Sequence, residues 1–258
     1  MTIVFKWHRA FTILELFVSI GIIAVLVAMV SFVAGKLRSS SDAAESMSNL
    51  RQLAAANLAY AADHGGDYAP AQEPENLVRW HGARNSFKGE FDPTKGYLAP
   101  YLGREGRVKD DPALEDVLST SSFERGTGGY GYNAAYIGGQ PGDIFTPANA
   151  SQIPVPSAVV MFATCAFPRK KGLQEYPFCE PFFEVKPDGS LGRKLSPSVH
   201  FRHSGKAHVA WADGHVTAEA PSTVSGKNIY GGDNEKYRIG WFGPETENGY
   251  WNPDREEN

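Results

Sequence analysis

FTILELFVSIGIIAVLVAMVSFVAG, residues 11–35, is a single apolar run broken by one charge, Glu15. Its 25 residues, at about 1.5 Å of rise each, make roughly 37 Å of helix, enough to cross a hydrocarbon core of ~30 Å with some tilt. A carboxylate costs ~2.5–3.5 kcal/mol at the bilayer centre, so Glu15 needs a reason for its place near one end of such a helix. Ten residues precede the run, with Lys6, His8 and Arg9 just before it. That leader is short for a secretory signal, and the run is longer than the ~7–15 residues of a signal-peptide core. The plainest reading is a signal anchor with Glu15 at the headgroup level.

The residues around the start of the run say more. A short basic leader, the small residue Ala10, then Phe11-Thr12-Ile13-Leu14-Glu15 resembles the opening of type IV prepilins and type II secretion pseudopilins. The resemblance implies cleavage between Ala10 and Phe11 by a membrane prepilin peptidase, which then methylates the new amino terminus. It implies that residues 1–10 are a leader peptide and that Glu15 is an assembly carboxylate, set against a neighbouring subunit. This chain departs from the family in having Ala10 where Gly is usual. Lys6 and Arg9 before the run are matched by Lys36 and Arg38 after it, so charge does not settle orientation. The resemblance places the amino terminus in the cytoplasm and the remainder in the periplasm or outside, on a single pass through the inner membrane.

Beyond the membrane segment, the chain reads as a stalk and a head. In residues 36–64, Met47, Leu50, Ala54, Leu58 and Ala61 recur at three- and four-residue spacings, with Leu37, Leu53 and Tyr60 widening the stripe. Asp42, Glu45, Arg51 and Gln52 supply the polar faces. Gly65-Gly66 is a C-terminal stop. One helix over about 11–64 would be on the order of 80 Å long; a break at Ser39-Ser40-Ser41 would make it two. The apolar face needs a partner, and the carboxy-terminal region is the candidate. With 27 Gly and 17 Pro in 258 residues, that region, 65–258, suits turns and strands rather than a helical bundle. The formal net charge of −4 leaves no electrostatic footprint for nucleic acid.

Strand signals lie at Tyr130–Ile137, with aromatics at even positions, and at Ala158–Ala163, an apolar run after Pro154 and Pro156. Ala207–Trp211 and His215–Thr217 flank Asp213-Gly214, a strong hairpin signature. Short helices are expected near Tyr97–Leu102 and Pro112–Ser119. Strands covering an amphipathic helix predict an α+β head.

The hairpin segment FRHSGKAHVAWADGHV carries His203, nine residues, then Asp213-Gly214. It resembles the H-X9-DG motif that accompanies prepilin-type leaders in a pseudopilin-like family of planctomycete and verrucomicrobial bacteria. GGYGYN (128–133) and PSAVVMFA (156–163) resemble further segments of that family. The resemblance implies a pilin-like fold, with the peptidase-methylase and other pilin-like subunits as partners.

These residue types open several chemistries. His203 and Asp213 beside Ser204 would form a hydrolytic pair, but no nucleophile-elbow pattern surrounds any Ser in the chain. His203, His208, Asp213 and His215 on alternate strand positions are candidate metal ligands without recognisable zinc spacing. Asp233-Asn234-Glu235 would offer oxygens to calcium, without EF-hand spacing. The structural reading gives Asp213 to the turn and lets His203 hydrogen-bond across the hairpin base. The expectation is therefore a structural subunit rather than an enzyme, with no cofactor. Cys165 and Cys179, the two cysteines, predict a disulfide in an oxidising compartment. Trp241-Phe242 and Tyr250-Trp251 either stack on sugars or complete the core. A membrane-anchored module that binds polysaccharide or another envelope ligand without polymerising is the second functional reading.

Overall fold

The computed structural model describes residues 12–115, 117–118, 124–170, 172–224, 226–229 and 231–255. The leader 1–10 and the Ala10/Phe11 junction lie outside the described residues. The chain divides into two compact units, 1–41 and 42–258.

One α-helix runs uninterrupted over Ile13–Asp63, 51 residues. It starts with a capping box: Thr12 Oγ1 accepts from the Glu15 N–H at 3.2 Å, and the Thr12 N–H donates to Glu15 Oε2 at 2.9 Å. In the first unit every large apolar side chain from Ile13 to Val33 is more than half exposed. With a window of mean hydropathy 2.8, this helix is long and apolar enough to span a membrane.

In the second unit the helix turns one face inward. Ser46, Asn49, Leu50, Leu53, Ala54, Ala56, Asn57 and Ala61 are buried, a three- and four-residue spacing that keeps them on one side. The helix ends where the glycine pair predicts. Gly65 and Gly66 have φ of +68° and +98°, and the Gly66 N–H closes a six-to-one bond onto the Ala61 carbonyl at 2.8 Å.

That face packs on a four-stranded antiparallel sheet ordered Val216–Glu219, Ala207–Trp211, Val160–Thr164, Tyr130–Tyr132. The register aligns Tyr132 with Phe162, Phe162 with Ala210, and Ala210 with Val216. These four join Leu50, Leu53, Ala54 and Ala61 in one apolar cluster. A second cluster collects Val160, Val209 and Trp211 with Val199, Phe201, Trp241 and Phe242. It abuts a three-stranded sheet ordered Thr223–Val224, Ile239–Trp241, Val199–His200. The two inner strands of the larger sheet are thus covered on both faces, which explains their full burial. The architecture is α+β.

The strand expected over Tyr130–Ile137 stops at Tyr132, because the Asn133 amide turns the chain by donating to the Val160 and Trp251 carbonyls. Near Tyr97–Leu102 a 3-10 turn forms, Ala99–Tyr101, and among the described residues near Pro112–Ser119 one helical turn, Pro112–Glu115.

Candidate functional site

A buried polar network gathers where the helix meets the sheet. Its centre is Asp111, just ahead of Pro112. Asp111 Oδ1 caps the short helical turn by accepting from the Ala113 N–H at 3.0 Å. Oδ2 accepts from Ser46 Oγ of the long helix at 2.6 Å, from Arg202 Nη2 at 3.1 Å and from His203 Nε2 at 2.9 Å. Arg202 also donates to the Gly129 carbonyl at 2.7 Å and meets His200 Nδ1 at 3.1 Å. Asp111 and the Ser46 side chain are fully buried.

Burial alone would push the Asp111 carboxyl up. The Arg202 guanidinium, the hydrogen bond and charge of His203, and the Ser46 hydroxyl outweigh it and hold the group well below the usual carboxylate range. His208 is lowered to about 4, first by burial and then by His203. His200 is held well below its ordinary range by burial and by Arg202.

Local geometry explains how His203 reaches this centre. Ser204 and Gly205 have φ of +52° and +81°, and reciprocal bonds join His203 and Lys206 at 3.1 and 3.0 Å. This two-residue turn has the primed twist favoured by hairpins. It folds the His203 ring onto His208, with centroids 4.0 Å apart and planes within 11°.

Ser46, His208 and Asp111 are the residue types of a hydrolytic triad, but the protons run the wrong way. Asp111 is ionised, so the 2.6 Å contact takes the Ser46 hydroxyl proton. His208 Nδ1, 3.0 Å from Ser46 Oγ, then donates to that oxygen and is no base for it. The arrangement binds the helix to the sheet. A second polar contact does the same further along: Tyr132 OH accepts from Asn57 Nδ2 at 2.9 Å and donates to the Ala69 carbonyl at 3.0 Å. Asn57 Oδ1 accepts the Ala69 N–H at 2.9 Å.

The structure separates the H-X9-DG residues. The His203 ring takes Asp111 as its partner, while its main chain bonds Lys206 across the turn that leads into the hairpin. Asp213 lies in the opposite turn, where Oδ1 accepts from the His215 N–H at 3.0 Å and meets His215 Nδ1 at 2.6 Å. Gly214 has φ +91°, and a Cβ there would touch Leu58 of the helix at 3.4 Å. The four-residue set His203, His208, Asp213 and His215 is therefore split between two ends of the hairpin. Asp233 Oδ1 caps its own turn by accepting the Lys236 N–H at 2.9 Å. Among the described residues no group of three or more His, Cys, Asp or Glu is placed to hold a metal.

Cys165 and Cys179 are free thiols, both buried, so the expected disulfide is not formed here. They pack as small apolar groups in the second cluster. Burial, and then the adjoining Cys165 thiol, push Cys179 well above its ordinary range. Trp241, Phe242 and Trp251 are at most 1% exposed, which makes them core rather than a sugar platform. Gly131 of GGYGYN is required by close approach, since a Cβ would lie 2.7 Å from Cys165 Sγ. Sequence reasoning missed Asp111, Ser46, Arg202 and Asn57; the Asp-Pro pair at a helix start was the one available signal. No family model, curated protein or solved structure matches the chain.

Proposed function

We propose that this chain is a pseudopilin-like subunit of a type II secretion or type IV pilus-like envelope system. On this reading prepilin peptidase removes residues 1–10, Phe11 becomes a methylated amino terminus, and the apolar helix anchors the subunit in the inner membrane. The observation that supports it is one helix, Ile13–Asp63, with two surfaces. Its first part leaves all its large apolar side chains open for lipid or neighbouring helices. Its second part is bolted into the head by Asp111, His208 and Tyr132. A stalk fixed in this way transmits force to a head, and no bond chemistry is required of it. Glu15 suits either role, since the carboxylate that closes a capping box on Thr12 is also free to face the amine of an adjacent subunit.

The test is amino-terminal analysis of the membrane fraction with crosslinking from the first part of the helix. A Phe11 start and crosslinks to the same or other pilin-like chains are expected. A Met1 start in cells with active peptidase, or an anchor that crosslinks only to lipid, would overturn assembly and leave the membrane-anchored binding module.

A further inference from the structure

A cleft of about 290 Å³ opens beside Tyr176, Phe178, Glu180, Glu184 and Val185. A second cavity of about 190 Å³ adjoins it and shares Tyr176 and Glu180, so the Glu180–Tyr176 pair stands between the two. The main chain of Glu180 is pinned on both sides: its N–H donates to Ser198 Oγ at 2.9 Å, and its carbonyl accepts from Trp241 Nε1 at 3.1 Å. The backbone at Glu180 is therefore held by the core.

Among the described residues no cation pairs with that carboxylate. Oε1 accepts from Tyr176 OH at 2.5 Å, and a neutral phenol does not cancel a charge. The basic residues of the second cavity are engaged elsewhere. Arg193 faces Glu184 at 3.4 Å, and Lys194 faces Glu245 at 2.7 Å. Burial pushes Glu180 up, in keeping with a carboxylate lacking a cation. A half-buried carboxylate without a positive partner is costly, and a ligand cation would relieve that cost.

We propose that this cleft is a binding site for an organic cation, an ammonium or guanidinium on a short apolar stem. The cation sits against Glu180, with Tyr176 and Phe178 lining the cleft beside it. Val185 and the exposed Ile144 at the lip hold the stem. The volume suits a guanidinium with a few methylenes and lies at the small end of ligand pockets. Such a group arrives either as a free small amine or as the basic side chain of a protein. The site stands whether or not the chain assembles into a fibre.

The experiment uses the full chain in detergent micelles, with n-butylguanidinium, n-butylammonium, n-butanol, N-acetylglucosamine and the peptide acetyl-Gly-Arg-Gly-amide as calorimetric probes. Both cations should bind at least about tenfold more tightly than butanol. Glu180→Gln should lose at least about tenfold of that affinity while melting at the wild-type temperature or above. Ile144→Lys, at a surface position, should weaken cation binding by repulsion without touching the core, and it keeps the test valid if Glu180→Gln misfolds. A peptide about tenfold tighter than butylguanidinium identifies a protein side chain as the source, and equal affinities identify a free amine. Equal binding of butanol and the cations, sugar binding without cation binding, or full affinity in both variants would overturn the proposal.

Discussion

Asp111 accepts four hydrogen bonds, from Ser46, Ala113, Arg202 and His203, while Asp213 serves one exposed turn. Removing one partner of a buried ion pair costs ~3–5 kcal/mol because the other charge stays buried. Asp111→Ala should therefore destabilise the protein by about that amount in denaturant titration, with Arg202 left uncompensated. Asp213→Ala should cost about 1 kcal/mol or less, and equal losses would contradict the assignment of Asp111 as the centre. The histidines set a pH dependence of definite sign. His208 sits near 4 in the fold against an ordinary 6.5, and His200 is also lowered. The unfolded chain thus binds more protons than the fold in this range, so the contribution of His208 to stability falls as pH drops from about 6.5 to 4 and levels off below. Asp111 adds a further loss only as pH falls below the ordinary carboxylate range. His208→Gln should flatten the change in unfolding free energy between pH 6.5 and 4 by on the order of 2 kcal/mol. An unchanged slope would show that His208 is not the group responsible.

At the scale of elements, the long helix was the most legible part of the chain. Apolar content and the Gly65-Gly66 stop placed it within a residue or two of Ile13–Asp63. Its buried face was less legible. Met47 and Leu58 are only half-buried, while Ser46, Asn49 and Asn57 are buried. A hydrophobic stripe cannot reveal polar residues that are buried because a distant segment supplies their hydrogen bonds. Leu53→Ala should cost ~2–5 kcal/mol, whereas Leu37→Ala, at a position 67% exposed, should leave head stability unchanged. Denaturation followed by tryptophan fluorescence checks both. Glu15→Gln removes the charge while its amide oxygen can still close the Thr12 capping box. It should leave membrane insertion intact and reduce stalk crosslinks between subunits; undiminished crosslinks would make the cap its whole role.

At the scale of the molecule, an exported head would bring two adjoining buried thiols into an oxidising compartment. Cys165 and Cys179 should then form a bond closing a loop of about 15 residues, worth ~3 kcal/mol in the chain-entropy model. Non-reducing peptide mapping of protein taken directly from the envelope checks this, and alkylation of both thiols after unfolding without reductant would rule it out. Sequence by itself determined what depends on neighbours along the chain. Hydropathy marked the membrane-competent helix, glycine marked its end, and Asp213-Gly214 marked the turn between Ala207–Trp211 and Val216–Glu219, because helix propagation and tight turns are local events. Tertiary structure alone decided which carboxylate His203 meets, which face of the helix is buried and which aromatics are core. Asp111 lies 92 residues from His203 and 65 from Ser46. Such pairings carry no periodic trace in the chain, since they arise only when packing has excluded water and made each buried polar group find a partner.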